Sequence, residues 1–394
     1  MNSFETPQPT YVLLGGGTTG EAAAGILDAQ PEALVYAGVV VTDSGSWSGK
    51  LRTMQLDPSG IDDRPAVGDL RRSSSALSAI PEAAAIFEYK LGTGATVDDI
   101  DQQGSRLLET IAGNNPRISA DRAAKIIEDT SMLARKVSEQ NKGNLRGLNL
   151  GHLVMTRLTI EHGDIDSATQ ETGDLLNTRG FVVPTTLESV QLVQQDGPFT
   201  ITGEHIIDER APLYPGDVTM SFSGSAPLNP RLRAPMLRAV AIGAGPGSVY
   251  SSGIPGLLAE GTAETLAEAQ DRGALLAISG NLVNQKTGTS GWTADRYVET
   301  YEKYLAVGRR FDVVILNEDT ANLDPERAVA FDRDYLDRNG YTVVATNLVR
   351  SEGATRQAND LIEVRADAVH DMGALGVAFV GHAALGRSKA LANV

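Results

Sequence analysis

Short apolar runs rich in valine, isoleucine and leucine alternate along the chain with longer stretches of helical periodicity. The runs Tyr11–Leu14, Leu34–Val41, Ala239–Ile242, Leu275–Ser279, Asp312–Leu316 and Thr342–Ala345 are apolar almost without interruption. Unbroken apolarity marks strands covered on both faces, so the pattern predicts an α/β protein with a mainly parallel sheet and crossover helices. Helices are predicted at Glu21–Ala29, Thr262–Arg272, Ala294–Ala306 and Asp324–Arg338.

Two segments break the alternation. From about Pro81 to Asn144 only helical patterns occur, among them Ala120–Glu139, which predicts a helical insertion or lid (81–144) between core segments 1–80 and 145–394. Further on, Val190–Gln195, Asp196-Gly197 and Phe199–Thr202 read as a hairpin, because Asp-Gly supplies the positive φ of a tight turn. With Val218–Phe222 it predicts a small antiparallel unit beside the main sheet.

Two strand ends carry glycine-rich junctions. One is Gly15-Gly16-Gly17-Thr18-Thr19-Gly20, followed by an alanine-rich helix. The other is Gly245-Pro246-Gly247-Ser248, followed by Val249-Tyr250-Ser251-Ser252. Residues without Cβ let a ligand approach the backbone, and a helix N-terminus favours an anion. Two such junctions point to a two-ended ligand that bears phosphate, held by Gly16, Gly17 and Thr18 on one side and Gly245, Gly247 and Ser248 on the other.

Composition narrows the partners. The 394 residues have a formal net charge of −16, with no long basic run. A nucleic-acid partner is therefore not expected, since polyanion binding needs a basic patch. The chain has no cysteine, which excludes disulfides, thiol nucleophiles and thiolate metal sites. A polar N-terminus and the lack of a bilayer-length apolar run lead us to expect a cytoplasmic protein with no membrane insertion.

Other clusters add candidate chemistry. In Thr42–Arg52, Asp43 can hold a divalent metal or a ligand hydroxyl, and equally suits a loop cap; Lys50 and Arg52 can neutralise phosphate. Gly68-Asp69-Leu70-Arg71 pairs an N-cap candidate, Asp69, with the planar fork of Arg71. In Leu145–His152, Asn149 can bond a base or sugar and His152 can titrate near neutrality. Asn281, Gln285 and Thr289 are neutral donors and acceptors suited to a sugar or base edge, and Trp292 stacks or simply packs. There is no Walker lysine motif, Gly-x-Ser-x-Gly elbow or His-Glu-x-x-His. Asp43 also lies near the distance of an NAD-ribose carboxylate, which keeps a dehydrogenase as a weak competitor.

Taken in order, these stretches, with Val183–Val190 and Asn281–Val298, resemble the gluconeogenesis-factor (YvcK-like) family, related to the CofD-like 2-phospho-L-lactate transferases. The resemblance implies a Rossmann-like, doubly wound fold, often oligomeric, so a homo-oligomer is expected. It also implies a ligand across the C-terminal sheet edge. YvcK-like members bind UDP-N-acetylglucosamine and influence carbon metabolism, cell shape and wall synthesis. CofD-like members transfer a lactyl phosphate to a deazaflavin with a divalent metal, so Mg2+ is the cofactor the resemblance implies. Arg365 matches a C-terminal pattern tied to nucleotide-sugar binding.

The chain also departs from the family pattern. The loop from Asp43 lacks a second adjacent carboxylate, His152 and Gly256 replace asparagines, and the tyrosine expected to partner Arg365 falls where the chain is shortened, between Asn317 and Tyr335. The leading expectation is a regulatory nucleotide-sugar binder. Its rivals are a metal-dependent transferase in which Asp43 holds the metal, and a scaffold that docks a protein through the helical insertion.

Overall fold

The computed structural model describes residues 8–57, 63–350 and 368–392. Its strands are β1 (Thr10–Gly15), β2 (Leu34–Val39), β3 (Phe181–Pro184), β4 (Leu192–Asp196), β5 (Phe199–Thr202), β6 (Val218–Phe222), β7 (Ala241–Ala244), β8 (Leu275–Ser279), β9 (Val313–Asn317) and β10 (Thr342–Thr346). Seven of them form one parallel sheet in the order β10-β9-β8-β7-β1-β2-β3. The expected doubly wound, Rossmann-like architecture is therefore present. Strand β1 illustrates why both faces are apolar: Tyr11 and Leu13 enter one core, and Val12 and Leu14 the other.

Strand order reverses between β1 and β7. The chain builds outward from β1 through β2 to β3, then returns to β7 and builds the other way. In such an order the loops at the carboxyl ends of the two central strands run to opposite faces of the sheet, and this is where a ligand crevice is expected. Both glycine junctions lie at that switch point.

Strand β3 was missed because four residues at a sheet edge carry little periodic signal. The antiparallel unit is confirmed as β5-β4-β6, but its turn is Gly197-Pro198, since Asp196 pairs with Phe199. Gly197 supplies the positive φ (56°). The helix expected at Asp324–Arg338 shrinks to Arg333–Arg338. After one turn closed on the Asp324 carbonyl, residues 327–330 pair their backbone groups with Leu282, Asn284 and Ala294, which stops the helix from continuing. The segment after Asp43 is a helix, Ser46–Thr53, rather than an open loop.

Between Pro81 and Asn144 the helices are Pro81–Glu88, Val97–Ile111 and Ala120–Gln140. They pack beside helix Leu150–His162, and their Ile100, Leu107 and Ile126 join the same core as Leu27 and Val35. Helix 81–88 and the residues just after it reach the candidate residues, Glu88 pairing with Arg71 and Lys90 bridging to Asn149. No helix among the described residues is long and apolar enough to cross a membrane.

Candidate ligand-binding crevice

The two glycine junctions meet. The Thr18 hydroxyl donates to the Pro246 carbonyl at 2.8 Å. A Cβ on Gly16 would lie 2.8 Å from Ser252 Oγ, and one on Gly247 would lie 3.3 Å from Ser252 Cβ. Gly16, Gly17, Thr18, Gly245, Gly247 and Ser248 thus line one locality, and Ser252 is the wedge between the loops.

One amide of each junction is already engaged. Gly17 N–H bonds the Asp69 carboxylate. Gly247 N–H donates to Asn281 Oδ1 (3.2 Å), while Asn281 Nδ2 donates to the Gly247 carbonyl (2.9 Å). Asn281 therefore tethers the second loop. A Cβ on Gly17 would stand 2.8 Å from Asp69 Oδ1 and 2.9 Å from Arg72 Cδ, so any side chain there would have to displace one of them. Asp69 sits inside helix Gly68–Ala76, whose N-cap is Val67, so its carboxylate serves the crevice rather than capping.

Asp43 faces Asp69 from the end of β2. Its Oδ1 accepts from Gly45 N–H at 2.9 Å, and its Oδ2 and the Ser48 hydroxyl both crowd the Cα of Gly68. Asp69, from another element, thus brings a second carboxyl group near Asp43. Burial, then the nearby Asp43 charge, pushes the Asp69 carboxyl up to about 7. Glu204 is pushed up to about 8 by burial, then by Asp43, Asp69 and Asp208.

Helix Glu204–Glu209, which follows the hairpin, straps the crevice. Ser44 N–H donates to Glu204 Oε2 (3.4 Å), and His205 N–H donates to Ser44 Oγ (2.9 Å). At its other end Asp208 Oδ1 accepts from the hydroxyls of Ser248 (3.0 Å) and Ser251 (3.1 Å). Nothing local in the sequence flagged Glu204 or Asp208; their role depends on how the antiparallel unit docks.

Behind this surface lies a polar relay. Asn149 caps helix 150–162, its Oδ1 accepting from the His152 backbone N–H at 2.9 Å. His152 Nδ1 contacts that same oxygen at 2.7 Å, and Nε2 lies 3.4 Å from Ser48 Oγ. An oxygen already accepting one N–H can meet Nδ1 only if Nδ1 carries its proton, so Nε2 is bare and receives the Ser48 hydroxyl. Burial, then the charges of Arg71 and Lys90, holds His152 well below its ordinary range. His152 is therefore neutral and does not titrate near neutrality, contrary to the sequence expectation.

Several candidates are turned inward. Arg71 is buried in an ion pair with Glu88, and burial, then Arg72, lowers it to about 10. Arg52 is buried and bonds Ser189 and Val190, away from the crevice, while Lys50 covers the Trp47 ring. Thr289 is fully buried and accepts from Tyr297 OH (2.9 Å) and Gln285 N–H (2.9 Å). Trp292 packs between Tyr250 and Tyr297. Arg365 lies outside the described residues.

Fold and site together define a doubly wound α/β protein with a polar, carboxylate-lined crevice at its switch point. Comparison with known proteins gives the family. The sequence model described as "2-phospho-L-lactate transferase CofD" matches residues 11–349, and the chain belongs to that family. Its curated relatives are gluconeogenesis factors. That of Halalkalibacterium halodurans is 29% identical over 181 residues, 45% of this chain and 54% of the relative. That of Bacillus subtilis is 27% identical over 220 residues, 53% of this chain and 67% of the relative. The alignment thus spans about half the length of the first of these. A solved Bacillus halodurans protein of the UPF0052 family superposes with a TM-score of 0.70 at 21% identity, covering 95% of this chain and all (100%) of that one, and supports the fold.

Proposed function

We propose that this protein is a regulatory binder of a nucleotide sugar, a UDP-sugar such as UDP-N-acetylglucosamine, acting in the cytoplasm on carbon metabolism or wall synthesis. The observation that carries the reading is the meeting of two glycine junctions at one switch point, joined through Thr18, Pro246 and Ser252. A diphosphate lies across such a crevice, with base and sugar toward opposite sheet halves. Membership among the gluconeogenesis factors agrees with a regulatory role.

The crevice is lined by the carboxyl groups of Asp43, Asp69, Glu204 and Asp208, with Asp69 and Glu204 held toward their protonated forms, so a bare diphosphate meets acceptors rather than cationic donors. A divalent cation resolves the conflict. No group of three His, Asp or Glu side chains among the described residues is arranged to cage a metal alone. The arrangement fits a hydrated Mg2+ held by Asp43 with Asp69 beside it, completed by ligand phosphates and water. Calorimetry against a panel of nucleotide sugars, with and without Mg2+, tests this. Binding that strengthens at least tenfold with Mg2+ is expected, and no heat from any panel member on folded protein sinks it.

A second reading, a metal-dependent phospho-lactyl-type transferase, is favoured by the pairing of Asp43 with Asp69 and by the family model itself. It requires transfer from a guanylyl donor to a deazaflavin, abolished in Asp43→Asn. Absence of transfer by the unmodified protein removes it.

A further inference from the structure

Asp208 is a carboxylate sitting where an oxyanion is expected. One of its oxygens, Oδ1, collects the hydroxyl of Ser248 at 3.0 Å and that of Ser251 at 3.1 Å. Ser251 is buried, at 5% exposure, and its hydroxyl points out of the second glycine junction into the strap. The Ser248 proton is contested, since Gln285 Oε1 also lies 3.3 Å away. The strap is pinned by the Thr287 hydroxyl, which donates to the Asp208 carbonyl at 3.1 Å.

Two hydroxyl donors converging on one anionic oxygen present the donor set a phosphate oxygen takes. Glu204, on the same strap, lies close enough to Asp43 and Asp69 for their charges, after burial, to raise its carboxyl. We propose that Ser248 and Ser251 form a phosphate subsite, and that the Asp208 carboxylate occupies it until a ligand phosphate displaces it. The proposal rests on the diphosphate reading above and deepens it: Asp208 sets the affinity of the crevice for phosphate-bearing ligands.

Inorganic pyrophosphate with Mg2+ is the probe, because it carries no base or sugar and separates this subsite from the identity of the natural ligand. Calorimetry should show Asp208→Ala binding the probe tenfold or more tighter than the unmodified chain, the scale of two lost charge-assisted hydrogen bonds. Asp208→Asn removes the charge but keeps an acceptor, so a smaller gain is expected. Adding Ser251→Ala to Asp208→Ala should cancel most of the gain. Far-ultraviolet circular dichroism and melting curves establish that each variant is folded, and the asparagine variant carries the test if the alanine variant is not. Equal or weaker pyrophosphate binding by the folded Asp208 variants, or indifference to Ser251→Ala, overturns the subsite. If the variants tighten on pyrophosphate while no nucleotide sugar binds, the subsite stands and the nucleotide-sugar reading falls.

Discussion

The relay Asn149–His152–Ser48 shows how one hydrogen bond fixes the chemistry of three side chains. Because Asn149 Oδ1 already receives the His152 backbone N–H, the imidazole keeps its proton on Nδ1, and Ser48 must donate to Nε2. Ser48 Oγ and Asp43 Oδ2 stand together over Gly68. A histidine at this position reads from sequence as a pH-sensitive group. Here burial and the neighbouring cations Arg71 and Lys90 keep it neutral. The expected outcome is a single neutral tautomer with Nδ1 protonated. On 15N-histidine-labelled protein, long-range 1H–15N spectra should show no His152 titration between about pH 5 and pH 8, a window that brackets the ordinary histidine value. Replacing Asn149 with alanine should release the tautomer and uncap the helix, costing about 1–2 kcal/mol.

At the scale of elements, the sequence was most legible where packing imposes a pattern over many residues. Strands buried on both faces announced themselves as unbroken apolar runs, and Leu275–Ser279 was placed to the residue. Legibility failed where a neighbour outbid local preference. Residues 327–330 are helix-compatible, yet their backbone is taken by Leu282, Asn284 and Ala294. The site was partly legible for the same reason: glycines at strand ends are local, whereas Asp69 against Asp43, or Asp208 against Ser251, are contacts between distant segments. Helix Met372–Ala392 packs on helix Thr19–Ala29 at a crossing built from Gly25 and Gly376. A Cβ on Gly25 would collide with the Met372 carbonyl, and one on Gly376 with the Gly25 backbone. Backbone cannot move aside as a flexible side chain does, so Gly25→Val should cost about 1–3 kcal/mol or more. Hydrogen exchange should then show lost protection across 372–392 with β1 and β7 still protected. Uniform loss across the sheet would instead mean that the helix is inseparable from the core.

For the whole molecule, the crevice carboxyl groups tie stability to protons and, on the function proposed above, to a cation. The carboxyls of Asp69 and Glu204 ordinarily titrate near 3.8 and 4.5, but in the folded chain they reach about 7 and about 8. Between those values the native state holds protons that the unfolded chain has released, so stability falls as pH rises. The contribution is fully present below about pH 4 and is lost by about pH 8, at no more than about 1.4 kcal/mol per pH unit for each group. Screening reduces it for Glu204, which is only half-buried. Without divalent ions, the melting temperature should therefore drop steadily from pH 6 to pH 8.5, and Asp69→Asn should flatten much of that slope. A cation on Asp43 offsets the same repulsion, so Mg2+ should raise the melting temperature more at pH 8 than at pH 6, where Asp69 and Glu204 keep their protons. Thermal melts in EDTA and in Mg2+ across this range decide it. A flat profile in EDTA, or equal Mg2+ stabilisation at both pH values, would show that the four carboxylates do not act as one charged unit.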